Sequence, residues 1–390
     1  MEPAAKKQRI AQAATVLGAG YAGLTTAAEL SLRGYKVRVV AKDFGFQPPS
    51  TICGTQSRRH PGIAICNQAF DKDDLLDKEL MSIHRFIALA ANPAETGVSV
   101  IPALKASRKE GAWWNARPLD AERKATSTET QRQLHLAAAP SKVDPAIKER
   151  LKSVGYKSVD ETTVVKVESR KYFQYLCKVI KDNGGCLCMG VHLDASAIEA
   201  VDTPIVVNCL GLHAGDTGGT DGEYTRNLGE ELVFAKPPVD FPFYIIDDDT
   251  SGTMVQNSDG TLVLNSGAKP KHMLSASGTG MYDPACSQQT IDDAQLLIKA
   301  VFGDTATLRV ADACESWSSD RPTRAEGFNL GAARRADGRV EVQNSGHGGA
   351  GVTTSWATAM LAASALEAIL TPGSVYKCTR DLAGLQIWCA

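Results

Sequence analysis

One stretch near the start of the chain limits its fold more than any other. Ala14-Thr15-Val16-Leu17 is a short β-prone run that leads into Gly18-Ala19-Gly20-Tyr21-Ala22-Gly23, and Leu24 to Leu30 continues as an apolar helix. Gly34 stops that helix, and Lys36-Val37-Arg38-Val39-Val40 reads as the next strand. Strand, glycine turn, helix and strand close within about thirty residues, the βαβ unit that binds dinucleotides. Each glycine has a mechanical task. Gly18 permits the tight turn, Gly20 lets backbone approach a pyrophosphate, and Gly23 lets helix pack on strand. The helix N-terminus adds amide donors and a partial positive charge. The second strand ends at Ala41, where an acidic residue commonly grips a ribose, and Lys42-Asp43 follow. The cofactor is therefore expected to be held differently than in a plain NAD enzyme.

Composition narrows the function classes. The chain has 390 residues, and 42 basic side chains against 44 acidic ones leave a net charge of -2. The length suggests two or three units, enough for a core and a cleft. A near-neutral chain lacks the basic excess that recruits nucleic acid. Lys6-Lys7-Gln8-Arg9 is a short cluster read as a solvated tail. Ten cysteines are scattered over Cys53, Cys66, Cys177, Cys186, Cys188, Cys209, Cys286, Cys314, Cys378 and Cys389, without framework spacing. They read as small buried residues in a reducing compartment. No window of 18 uninterrupted apolar residues occurs, and the chain ends in Ile387-Trp388-Cys389-Ala390 rather than a peroxisomal tripeptide. The expected location is cytoplasmic, away from membranes. No zinc, calcium, P-loop or nucleophile-elbow pattern is found.

Three later segments repeat the theme of backbone meeting a polar ligand. Ile205 to Asn208 is a buried strand that runs through Cys209-Leu210-Gly211 into a glycine turn. Ahead of it, 169–180 has helical periodicity, Asn183-Gly184-Gly185 stops the helix, and 186–192 reads as a strand. Near the end, Gly346-His347-Gly348-Gly349-Ala350-Gly351-Val352-Thr353 precedes a helix over 357–370, so four glycines stand before a helix N-terminus. Upstream, Arg321-Pro322-Thr323-Arg324 pairs arginines with a proline that stiffens the approach. Trp113-Trp114-Asn115 reads as strand and 117–133 as a solvated helix or loop.

Taken in order, Val16-Leu17-Gly18-Ala19-Gly20, Val39-Val40-Ala41-Lys42-Asp43, Val206-Val207-Asn208-Cys209-Leu210-Gly211, Arg321-Pro322-Thr323-Arg324 and Gly346-His347-Gly348-Gly349-Ala350-Gly351-Val352-Thr353 resemble the D-amino-acid oxidase family of FAD enzymes. The resemblance spans nearly the whole chain. It implies an α/β fold, with a Rossmann-like FAD-binding domain interleaved with an antiparallel-sheet α+β substrate domain. The expected division is 1–60, 160–215 and 315–390 for FAD, and 61–159 and 216–314 for substrate. The implied chemistry is hydride transfer from a substrate carbon to flavin N5, reoxidation by O2 to H2O2, and hydrolysis of the imino product to a keto acid.

The resemblance also assigns residues. Arg321 matches the carboxylate-binding arginine, ahead of Arg324, and Thr353 resembles a flavin-contacting threonine. The expected cofactor contacts are Gly18, Gly20, Tyr21, Ala22, Gly23, Lys42, Asp43, Thr51, Cys53, Gly54, His60, Cys209, Gly211 and the loop Gly346, His347, Gly348, Gly349, Ala350, Gly351, Val352 and Thr353. His347 is read as part of the loop beside the flavin ring rather than as a general base, because no carboxylate stands near it in sequence. His60-Pro61-Gly62 lies where related sarcosine-type oxidases attach flavin covalently, so a link at His60 stays open. The family usually has Tyr where this chain has Ser345, and no Tyr occurs in 253–264; Tyr244 and Tyr282 are the nearest. The expected partners are a small amino acid or amine and O2, with no metal, and a homodimer is left open. Two alternatives remain: a secondary-amine oxidase acting on a tailored substrate, and a flavin-binding protein with little turnover.

Overall fold

The computed structural model describes residues 12–44, 62–64, 73–110, 121–138, 143–191, 193, 199–211, 214, 224–235, 237, 239–240, 242–250, 252–265, 284–304, 306–324 and 326–371. The first half contains β1 (Ala13–Leu17), α1 (Tyr21–Leu32), β2 (Lys36–Ala41), β3 (Gly62–Ala64), α2 (Asp73–Leu89), α3 (Pro93–Thr96) and β4 (Val98–Ser107). Next come α4 (Ala121–Ala137), α5 (Pro145–Ser153), β5 (Ser158–Val167), α6 (Ser169–Asp182), β6 (Cys186–Met189) and β7 (Ile205–Asn208). The remainder runs β8 (Tyr224–Phe234), β9 (Tyr244–Asp247), β10 (Thr253–Gln256), β11 (Leu262–Asn265), α7 (Pro284–Phe302), β12 (Ala313–Arg324), β13 (Asn329–Arg334), β14 (Val340–Ser345) and α8 (Ser355–Leu370).

The first sheet has the order β13-β14-β7-β1-β2-β6. β1 pairs in parallel with β2 and β7, β7 with β14, and β2 with β6, while β13 is antiparallel at the edge. A parallel sheet covered on both faces needs strands that are apolar on both sides. β1 and β7 meet that need, with Ala14, Val16, Leu17, Ile205, Val206 and Val207 all buried. α1 is packed with small residues, so α6 and α8 come close to it. Arg33 clamps the pair from outside, donating to Glu29 at 2.8 Å and to Glu367 at 3.0 Å.

The second sheet has the order β12-β8-β11-β10-β9-β4-β5-β3 and is antiparallel except where β4 meets β9. Its strands alternate with a period of two. Leu232, Ile245, Met254, Leu262 and Leu264 face α5 and α7, where Ile147, Leu151, Leu297 and Ile298 complete a core. Val233, Tyr244, Val255 and Val263 face the other way.

The pairing departs from the expected division in three places. β5 lies at 158–167, inside a stretch read as FAD domain, yet it pairs with β4 over ten residues of unbroken register. β12 lies almost wholly inside 315–390, yet it runs antiparallel to β8 and not in the first sheet. Helix α2, read with the substrate unit, buries Leu76, Leu80, Ile83, Phe86 and Leu89 in the first sheet's core. β-propensity fixes a strand but not the sheet it joins, and an apolar stripe does not name its partner. Within 117–133, read as a solvated helix or loop, α4 forms over 121–137 and packs on α2, with Ser127, Thr130 and Leu134 buried.

Candidate functional site

The glycine turn after β1 is tight against β7. Gly18 has φ 101° and lies so close to Cys209 that an added Cβ would stand 2.6 Å from the Cys209 carbonyl oxygen. An added Cβ on Gly23 would collide with the carbonyl of Gly18. Gly20 caps α1 with no side-chain hydrogen bond, which leaves that end to backbone donors. The Tyr21 side chain turns away from the turn, meeting Ser169 Oγ at 2.6 Å and packing edge-on against Phe173. Only the Tyr21 backbone is thus at the turn. Ala22 packs on the core beside it.

At the tip of β2, Ala41 is buried, Lys42 is exposed and Asp43 is half-buried. One Asp43 carboxylate oxygen is buried without a hydrogen-bond partner among the described residues. A buried acceptor left open is costly, and this one lies just beyond the tip of β2, beside the glycine turn's strand. An acidic side chain with an open buried oxygen thus stands two residues beyond the strand. Burial pushes the Cys209 thiol up to about 12, so it stays a neutral neighbour of the turn. Gly211 has φ 62°, and its nearest neighbour for an added Cβ is Pro322 Cγ, 3.8 Å away.

That contact brings the second sheet to the first. The loop after β14 lies along the end of β12, where Thr323 bridges to His347. Side chains added to the loop's glycines would meet β12 in turn. A Cβ at Gly346 would be 2.9 Å from Arg324 Cδ, one at Gly348 2.8 Å from Thr323 Oγ1, and one at Gly349 3.7 Å from Arg321 Cδ. Three of the four glycines thus lie against β12, while a Cβ at Gly351 would stand 3.7 Å from His347 Cβ, and all four carry bare backbone. Ala350 and Thr353 are buried, and Val352 packs against the first core.

His347 is buried and donates from Nε2 to Asn344 Oδ1 at 2.9 Å. Asn344 Nδ2 donates to Thr26 Oγ1 at 2.9 Å, and Thr26 donates to the Ala22 carbonyl at 2.7 Å. This chain ties the loop to the first turn of α1. Burial, aided by Lys78, pulls His347 down to about 4, so it is neutral at neutral pH. Its partner is an amide and not a carboxylate, which does not build a general base.

The guanidinium of Arg321 lies over Gly229 of β8 and donates to Asn265 Oδ1 at 3.4 Å. Burial pulls the guanidinium below its ordinary range, while Glu231 and Tyr244 act in the opposite sense. Tyr244 stands on the same sheet face, so a phenol is close to the arginine despite its absence from 253–264. The family tyrosine replaced by Ser345 also has a neighbour: Tyr224 Oη lies 2.8 Å from Ser345 Oγ. Gly229, Glu231, Asn265, Asn344 and Thr26 were not singled out in sequence. A lone Gly inside the strand 224–234 was the available sign, since such a glycine often marks close approach of another group. Thr51, Cys53, Gly54, His60, Trp113, Trp114, Asn115 and Tyr282 lie outside the described residues.

A cradle of backbone amides, an open buried carboxylate and a glycine loop facing an arginine fit a flavin dinucleotide. The family model described as DAO, FAD dependent oxidoreductase, matches residues 14–365. The chain belongs to this family. As a DAO-family protein it is an FAD-dependent oxidoreductase. A D-amino-acid oxidase from Rubrobacter xylanophilus is 27% identical over 369 residues, covering 93% of this chain and 98% of the relative. Among solved structures, glycine oxidase from Geobacillus kaustophilus superposes with a TM-score of 0.59 at 17% identity, covering 91% of this chain and 94% of the other. An iminodiacetate oxidase from a Chelativorans species gives 0.61 at 14% identity, covering 91% and 95%. These two structures share the fold. Among the described residues of this DAO-family chain, no helix is long and apolar enough to cross a membrane.

Proposed function

We propose that the protein is an oxidase that dehydrogenates the C–N bond of a small amino acid, with Arg321 anchoring the substrate carboxylate. The observation that carries this reading is the approach of Arg321 to the Gly346–Gly351 loop, with Cδ 3.7 Å from the position of a Gly349 Cβ. An arginine fork set beside the flavin loop can hold a carboxylate by two parallel hydrogen bonds and fix the neighbouring C–H in direction. D-Amino acids, glycine and iminodiacetate, named for the similar proteins, all carry a carboxylate on the carbon beside nitrogen.

FAD, when bound, would supply a hydride acceptor that O2 can reoxidise to give H2O2. The chain's own residues orient and exclude water. In this reading Gly18, Gly20, Gly23, Asp43 and the loop of Gly346 to Thr353 hold FAD, while the second sheet presents the substrate. The amine reacts as its free base, so no side chain is needed to take a proton from nitrogen in the hydride step. The imine product then hydrolyses to the keto acid and ammonia. Tyr244 beside Arg321 and Tyr224 beside Ser345 supply hydroxyls in this region, which supports turnover over a protein that only binds flavin. Free Cys177, Cys186, Cys188, Cys209 and Cys314 support a reducing, cytoplasmic setting.

Anaerobic mixing with both enantiomers of a panel of amino acids, with glycine and with N-methyl amines tests the reading. Bleaching of the flavin band by carboxylate-bearing amines is expected. Bleaching by none of them, with flavin bound, overturns it.

A further inference from the structure

One face of the second sheet carries, beside Arg321, a carboxylate that the proposed reaction does not use. Glu231 is opposite Asn265 in the β8–β11 ladder, and Asn265 is opposite Thr253. Gly229 is two residues before Glu231 on the same face, roughly 7 Å along the strand. The Arg321 guanidinium occupies the space over Gly229, where a Cβ would be 2.5 Å from Nη2 and 2.7 Å from Cζ. Asn265 joins the two charges: its Oδ1 accepts from Arg321 Nη2 at 3.4 Å, and its Nδ2 donates to Glu231 Oε1 at 3.3 Å. Glu231 and Asn265 are both buried. Further along the row, Lys105 is opposite Asp160 across the β4–β5 ladder, another pair of opposite sign.

We infer that Glu231, positioned through Asn265 beside Arg321, sets the charge of the substrate site so that it takes monocarboxylic amino acids and rejects dicarboxylic ones. This inference rests on the oxidase reading above. Arg321 and Glu231 cancel formally, and the Arg321 fork is the one that Asn265 links to Glu231. A first substrate carboxylate occupies the fork, whose charge offsets the one it brings. A second carboxylate on the same substrate meets the like charge of buried Glu231. Juxtaposed like charges away from water are a strong device for rejecting a competitor. Asn265 is a neutral amide, so it links the two charged groups without adding a charge to offset a second carboxylate.

The test compares alanine with aspartate, and N-methylglycine with iminodiacetate, as substrates of the FAD-loaded enzyme. Wild type is expected to favour the monocarboxylate of each pair at least tenfold in kcat/KM, mainly through KM. Glu231→Gln should shift the ratio at least tenfold toward the dicarboxylate, and Glu231→Asp, which keeps the charge, should stay within about threefold of wild type. Binding of propionate and succinate, read from perturbation of the flavin spectrum without turnover, should follow the same order. A wild type that favours aspartate or iminodiacetate overturns the inference, as does a ratio that Glu231→Gln leaves unchanged. The two failures are separable. If no amino acid or amine reduces the wild-type flavin, the oxidase reading falls; if reduction occurs and the ratio does not move, only the charge-selection role falls.

Discussion

The guanidinium of Arg321 lies flat over Gly229, with Nη2, Cζ and Nε all within 3.2 Å of where a Cβ would be. The arginine is thereby held by a residue that contributes no side chain. Gly229→Ala should leave folding within about 1 kcal/mol of wild type, because the atoms displaced are the end of a flexible side chain. The displaced fork should raise the half-saturating concentration of a carboxylate substrate by roughly tenfold or more, at unchanged flavin content. Steady-state kinetics beside a thermal melt checks both.

The turn after β1 responds differently. A Cβ at Gly23 meets the Gly18 carbonyl, which is backbone and cannot move aside cheaply. Gly23→Ala should cost about 1–3 kcal/mol of stability and much of the bound flavin. Urea unfolding and the ratio of flavin to protein absorbance measure the two losses.

Asp43 gives a test of cofactor geometry alone. Its buried open oxygen suits a hydroxyl donor, and a hydrogen bond to a charged group is worth about 1.5–3 kcal/mol. Asp43→Ala should therefore weaken FAD binding roughly 10-fold to 100-fold. Titration of the stripped protein with FAD, followed by flavin fluorescence, reads the change.

How much of this was legible in sequence depends on whether the signal was local. The turn at Gly18 to Gly23, the loop at Gly346 to Thr353 and the Arg321-Pro322 pair are contiguous, and each pattern needs glycine or proline for a reason visible in the pattern itself. The Glu231, Asn265 and Gly229 constellation is not contiguous. It exists only after β8, β11 and β12 choose their registers, and a slip of one residue would turn every one of these side chains to the α5 and α7 face. The same non-local choice put β5 and β12 in the second sheet. Asp43 is a middle case: it was named among the expected cofactor contacts, but only the fold shows that one of its oxygens is buried and open.

His347 carries a pH dependence of defined sign. Its folded value of about 4 lies below the ordinary 6.5, because burial and then Lys78 disfavour the cation. Above pH 6.5 neither folded nor unfolded His347 binds a proton, and it contributes no slope. As pH falls from 6.5 toward 4 the unfolded state alone takes up the proton, so stability is lost through that window, by on the order of 3 kcal/mol in full. Chemical unfolding at pH 7.5, 6 and 5 should show wild type losing more than His347→Asn. The difference between the two isolates His347 from other groups, such as Asp248, which burial raises to about 6. Activity of wild type should show no break near pH 6.5 from this residue.

The anchoring role of Arg321 is most directly tested by the concentration dependence of anaerobic flavin reduction in wild type and Arg321→Ala, mixed with the amino acid that bleaches wild type fastest. The account predicts a half-saturating concentration raised roughly 100-fold in the variant, the equivalent of about 3 kcal/mol for two charge-assisted hydrogen bonds. Half-saturation at the wild-type concentration, with the flavin reduced as fast at limiting substrate, would contradict it.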